Sequence, residues 1–272
     1  MDRKLHPIMS NQNTSLINPN EFDKYSTKEG KIIFTKCCQN DEFYKIGHEF
    51  ILKILKGFAK LSDKFINGSY NLSDVPYLYG EQQLSSLIMP TLSNICNGYV
   101  IAEIPTLRIS SLKNHEKYNS SGRIDYWCIY NNYSFVIEIK HSYDCFRTSK
   151  TRPGKIIDKW ETMTIEQLYS IQKDVKKYEE PTKGVIRVGL HFITSYTNKN
   201  LQDQEVLNYS KQIEDRLFRI QKDVCRCKPL KTSPNIAGCW LSKKIIKAYE
   251  TTCPGVIIIG KIFEPVKHRG AI

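Results

Sequence analysis

The sequence predicts a mixed α/β fold: one mixed central sheet, an α-β-β-β-α-β order over residues 79–196, and helical additions outside that core. Three observations predict it. Apolar residues recur at helical spacing from Glu42 onward. Two strand-like segments flank Asn131-Asn132. A helical stripe then leads into an apolar run at 185–194, the signature of a second helix-to-strand unit.

Taken in order, residues 1–40 are rich in Asn, Ser, Thr and Lys and poor in periodic apolar positions, so they read as a polar N-terminal arm. Residues 41–272 read as a single domain, since no linker or internal repeat interrupts them. Phe43, Ile46, Phe50, Ile54, Phe58, Leu61 and Phe65 form one stripe of a long helix. Residues 67–76 are turn-rich. A second helix starts near Tyr79 with Leu84, Leu87 and Ile88 on one side, and Pro90 is expected to kink it or start a new one. Residues 99–109 read as a strand, 110–121 as a polar loop, and 123–130 and 133–140 as a hairpin, because Asn tolerates positive φ in a tight turn. Residues 141–159 read as a basic loop. Leu168, Ile171, Val175 and Tyr178 mark the next helix, and 204–224 a further one. A short apolar piece at 239–241 and a strand at 256–263 close the chain.

Composition narrows the function. The chain has 272 residues, 40% hydrophobic and 25% charged, which is ordinary globular composition. Lys and Arg total 40 against 28 acids, a net charge of +12 that favours phosphate-rich partners. No apolar leader and no run long enough to span a membrane is present, so the expectation is a cytoplasmic protein with no membrane partner. Nine cysteines, an odd number, suit a reducing compartment. Cys225-x-Cys227 with Cys239 and Cys253 lacks the paired C-x2-C spacing of a structural zinc site.

The hairpin gathers the chemistry. With the turn centred on Asn131-Asn132, Tyr130 faces Tyr133, Asp125 faces Glu138 and Arg123 faces Lys140. Alternation then puts Arg123, Asp125, Glu138 and Lys140 on one face, and Ile124, Tyr126, Cys128, Phe135, Ile137 and Ile139 on the other, core face. Opposed Cβ atoms lie about 4.5–5.5 Å apart, so two such carboxylates repel unless a cation joins them. Hard oxygen ligands suit Mg2+ or Mn2+, with Lys140 beside the metal to hold a phosphate or orient water.

Gly122-Arg123-Ile124-Asp125, a short gap, then Glu138-Ile139-Lys140 resembles the PD-(D/E)XK nuclease superfamily, with RecB-like features. The proline of that motif is absent, since Ile124 precedes Asp125. The resemblance covers residues 79–196 and implies a restriction-endonuclease-like core and metal-dependent cleavage, most often of DNA. It implies Asp125, Glu138 and Lys140 as catalytic, with Gln167 positioning water or Lys140. It also implies a metal held by Glu81, Asp125, Glu138 and the Ile139 carbonyl. Glu103, on the strand before the loop, competes with Glu81 for the extra carboxylate.

Arg123 and the basic loop residues Arg147, Lys150, Arg152 and Lys155 are the expected nucleic-acid contacts, with Tyr143, Phe146 and Trp160 interleaved for stacking. His141, next to Lys140, is either an assistant or a structural imidazole. The alternative function is a nucleic-acid-binding module with a degenerate site. The stripe from Glu42 suits a homodimer or a regulatory protein partner. Host defence, restriction or mobile-element biology follows only by association with the family.

Overall fold

A computed structural model describes residues 21–68, 74–111, 117–146, 153–173, 182–198, 203–227, 232–248 and 251–263. The protein is a mixed α/β structure built on one eight-stranded sheet, with four α-helices among the described residues. The strands are β1 (Phe22–Thr27), β2 (Gly30–Thr35), β3 (Val100–Ser111), β4 (Lys117–Tyr130), β5 (Tyr133–Cys145), β6 (Val185–Thr197), β7 (Ile236–Ala248) and β8 (Thr251–Phe263). The helices are α1 (Glu42–Asn67), α2 (Glu81–Ile95), α3 (Pro153–Glu161) and α4 (Asp203–Cys227). The sheet order is β1-β2-β7-β8-β6-β5-β4-β3. Neighbours are antiparallel except β5 and β6, which run parallel. A parallel pair needs a crossover, and α3 supplies it.

Two apolar layers sandwich the sheet. Phe135, Ile137 and Ile139 of β5 pack with Phe50, Phe58, Leu84 and Ile88 of α1 and α2. Val136 of β5 packs instead with Trp160, Met163, Leu168, Ile213 and Leu217 under α3 and α4. Strand alternation assigns the two faces. The helical stripe expected from Glu42 is α1, and Phe50, Ile54 and Phe58 are buried on it. That stripe is covered by this chain's own sheet. Pro90 lies inside α2, which continues past it to Ile95 as one helix. Among the described residues no helix is long and apolar enough to cross a membrane.

Several sequence expectations change. The N-terminal arm is not all arm: β1 and β2 form a hairpin, and β2 pairs with β7, burying Ile32, Ile33 and Phe34. The polar loop at 110–121 is shorter, because β4 begins at Lys117 and pairs with β3 from Ser111 back. The basic loop at 141–159 is largely regular: β5 runs to Cys145 and α3 starts at Pro153. The short apolar piece at 239–241 is the middle of β7. After α3 the chain continues through a π-helical stretch, Thr162–Tyr169, and a 3-10 turn, Ser170–Lys173.

Candidate active site between β4 and β5

The Asn131-Asn132 turn has φ of 48° and 62°, both left-handed, as a two-residue hairpin of the I′ kind requires. It sets the register that the sequence predicts, with Tyr130 opposite Tyr133 and Tyr126 opposite Ile137. The ladder stops there. Past that point β4 pairs only with β3, and β5 only with β6. Asp125 and Glu138 are therefore not ladder partners. Instead the Ile139 N–H donates to Asp125 Oδ2 at 2.6 Å, so a carboxylate takes a bond that strand β4 would otherwise have taken.

The parting has a visible cause. The β3–β4 ladder passes from Ala102↔Tyr126 to Ile104↔Ile124 over Glu103 and Asp125. Glu103 has φ 57°, a left-handed backbone that costs a non-glycine residue about 1–3 kcal/mol. On one side of this step Val100, Tyr126 and Cys128 belong to the α1/α2 layer; on the other, Ile104 and Ile124 belong to the α3/α4 layer. Both strands exchange faces at Glu103 and Asp125. The alternation that put Ile124 beside Tyr126 fails for that reason.

A cleft of about 660 Å3 opens at this step, lined by Glu81, Glu103, Asp125, Tyr126, Ile139 and the apolar side of α2. Glu81 is the first residue of α2, where a carboxylate also suits the helix dipole. Its Oε1 accepts from Lys140 Nζ at 3.0 Å and its Oε2 from the His141 N–H at 3.2 Å. Lys140 Nζ also donates to the Ile139 carbonyl at 3.0 Å. Its side chain is 12% exposed against 41% for Glu81, so the ammonium sits at the inner end of the pair. Burial raises the Asp125 pKa above the usual carboxylate value. The Ile139 N–H and Lys140 oppose that rise, while Glu81 and Glu103 add to it. The Asp125 carboxyl thus resists ionising unless positive charge reaches it.

The structure brings together Glu81, Asp125, Ile139 and Lys140, with Glu103 on the same rim, so both competing acids reach the cleft. It does not bring Glu138 to the cleft lining. Glu138 is fully buried beside Gly189 of β6, and alternation from Ile137 and Ile139 turns it toward the α3/α4 layer. A Cβ on Gly189 would meet Leu168 and Met163 at 2.9 and 3.0 Å, so glycine lets the π-helical stretch lie directly on the sheet here. Gln167 is in that stretch, half-buried, with Oε1 buried and without a hydrogen-bond partner. Among the described residues no group of three or more His, Cys, Asp or Glu side chains is gathered as a metal cluster.

The expected nucleic-acid contacts separate. Arg123 is exposed and pairs with Glu103 at 3.4 Å. Lys155 is exposed on α3. Arg147, Lys150 and Arg152 lie outside the described residues. Phe146 and Trp160 are buried, and Trp160 Nε1 donates to the Thr232 carbonyl, so neither is a stacking surface. His141 is structural: its ring is buried with Nε2 2.9 Å from Thr194 Oγ1. Lys159, the last basic residue of the expected basic loop, instead donates from its ammonium to the His141 carbonyl at 2.5 Å.

No family model matches the chain, and no curated protein matches it. The chain has a slight likeness to the crystal structure of SSO0001, at 18% identity and a TM-score of 0.25, over 66% of this chain and 71% of that one. A likeness that weak assigns neither fold nor activity.

Proposed function

We propose that this protein is a metal-dependent nuclease of the PD-(D/E)XK type, hydrolysing phosphodiester bonds, with DNA the favoured substrate. One observation carries the reading: where β4 and β5 part, Asp125, Glu81 and Ile139 line an open cleft, and Lys140 beside it bonds Glu81 and the Ile139 carbonyl. The element order α2-β3-β4-β5-α3-β6 with its parallel β5–β6 pair supports the restriction-endonuclease-like core. So does the net charge of +12.

The donors fit a hard cation in kind, since all are oxygens and the buried Asp125 carboxyl is short of positive charge. Asp125 and the Ile139 carbonyl would hold it, with Glu81 and Glu103 as the further carboxylates. A bound Mg2+ or Mn2+ supplies charge neutralisation at the phosphate. Lys140 presents its ammonium between a carboxylate and a carbonyl, where it can hold a phosphate oxygen or orient water. Glu81 keeps that ammonium in place. Gln167 positions Lys140 or water from the π-helical stretch on the other side of β5.

The test is cleavage of circular, linear and single-stranded DNA with and without Mg2+ or Mn2+. Lys140→Ala and Asp125→Ala are expected to lose at least about 100-fold in rate with far-UV spectra unchanged. Undiminished cleavage by either variant sinks the mechanism. A second reading, a binding module with a degenerate site, is favoured by the placement of Glu138, fully buried and outside the cleft lining. DNA binding without cleavage, and without Mn2+ uptake by calorimetry, would establish it instead.

A further inference from the structure

Of the three aromatic residues interleaved with the basic segment, Tyr143 alone stays open to solvent, 46% exposed. It lies three residues past Lys140 on β5. Its hydroxyl donates to the Leu78 carbonyl at 3.0 Å and to the Tyr79 carbonyl. Its ring meets the His141 ring edge-on, with centroids 4.7 Å apart at 85°. His141 is itself fixed through Thr194, whose hydroxyl donates to the Tyr77 carbonyl at 2.8 Å. The segment before α2 and strand β5 therefore clamp this ring from two sides.

That arrangement inverts what an incidental surface tyrosine does. Such a residue keeps its hydroxyl in water and lays its ring on the protein. Here the polar end is turned onto backbone while the residue stays 46% exposed. The ring is also held before any ligand arrives, so little side-chain freedom is lost on binding. Tyr79, 48% exposed, lies on the adjoining turn two residues before Glu81. Lys140 and Lys159 bring positive charge to the same strand segment, at Ile139 and His141.

We propose that Tyr143, with Tyr79 on the adjoining turn, is a stacking platform for an unpaired nucleobase, so that the protein takes single-stranded nucleic acid in preference to intact duplex. A base inside a duplex has both faces covered by its neighbours, whereas an unpaired base has a face free for an aromatic ring. Lys159 and Lys140 neutralise the phosphates that flank the stacked nucleotide. This rests on the nucleic-acid reading above and adds the strandedness of the substrate.

The experiment is fluorescence anisotropy of the full chain with a labelled mixed-sequence deoxyoligonucleotide, single-stranded or annealed, in EDTA so that no metal-dependent cleavage intrudes. Wild type is expected to bind the single strand more tightly than the duplex. Tyr143→Ala should weaken single-strand binding at least about fivefold and duplex binding by less than about twofold. Tyr143→Phe and Tyr143→Trp, which keep a ring, should retain most of the affinity. Three results would overturn the proposal: an unchanged single-strand affinity in Tyr143→Ala, equal losses on both substrates, or a Tyr143→Phe variant as damaged as Tyr143→Ala. The nuclease reading stands or falls separately, on metal-dependent cleavage by the Lys140 and Asp125 variants.

Discussion

His141 and His191 stand on the two parallel strands β5 and β6, both buried, and neither is shaped for proton transfer in the cleft. Burial pushes the His141 imidazole down from 6.5 to about 4, and the Lys159 charge pushes it further the same way. Burial also holds His191, bonded through Nε2 to Ser142 Oγ at 2.8 Å, well below its ordinary value. Both are neutral in the folded protein. The unfolded chain binds their protons first, so stability is full above about pH 6.5 and falls as pH drops toward about 4. For His141 the loss is on the order of 3 kcal/mol once the pH is below its folded pKa. Urea unfolding from neutral pH down to about pH 4 should show this decline, and His141→Gln should flatten it. A variant that declines as steeply as wild type would remove His141 from the account. None of this was legible from His141 standing next to Lys140. Its role is set by Thr194 and Lys159, which are distant in sequence.

At the scale of elements, the hairpin was legible because its cause is local. Asn131-Asn132 accepts positive φ, and the turn alone fixes which residues of β4 and β5 face each other. Where that ladder ends was not legible, since β3 and β6 decide it by drawing β4 and β5 apart past Tyr126 and Ile137. Ile124 shows the cost of reading alternation through that point, since it falls in the opposite layer from Tyr126. A second device holds β5 on its other side. Arg216 of α4 donates from Nε and Nη2 to the two oxygens of Asp144, at 2.6 and 2.9 Å, with both side chains buried. A buried pair adds little over apolar packing, but removing one partner strands the other charge. Asp144→Ala should therefore cost about 3–5 kcal/mol by denaturant unfolding. An Asp144→Ala, Arg216→Met double variant should recover much of that loss. If the double variant is as unstable as the sum of the singles, the pair is not the tie between α4 and β5.

Across the whole molecule the sheet joins segments from both ends of the chain, and this is where local patterning says least. Lys31-Ile32-Ile33-Phe34 is too short and too polar in its flanks to stand out from an arm, yet it pairs with Gly238–Leu241 of β7. Trp240 Nε1 donates to the Glu29 carbonyl at 3.3 Å, and His48 of α1 lies 2.5 Å from the Thr35 carbonyl, so the hairpin is tied to the sheet and to the first helix. Ile32, Ile33 and Phe34 are almost fully buried. At about 1.5–3 kcal/mol each, the three side chains contribute roughly 5–9 kcal/mol. That is comparable to the entire stability of a typical domain, about 5–15 kcal/mol. A chain beginning at residue 41 should therefore lose cooperative unfolding and expose the β7 edge to aggregation. In the full chain, Ile32→Ala alone should cost about 2–5 kcal/mol. Thermal and urea unfolding of both proteins checks this. If the shortened chain unfolds cooperatively at the full-length midpoint, β1 and β2 are an appendage and the sheet is complete from β7 to β3 without them. If it does not, the candidate site on β4 and β5 depends on a hairpin more than eighty residues before it, through the continuity of one sheet.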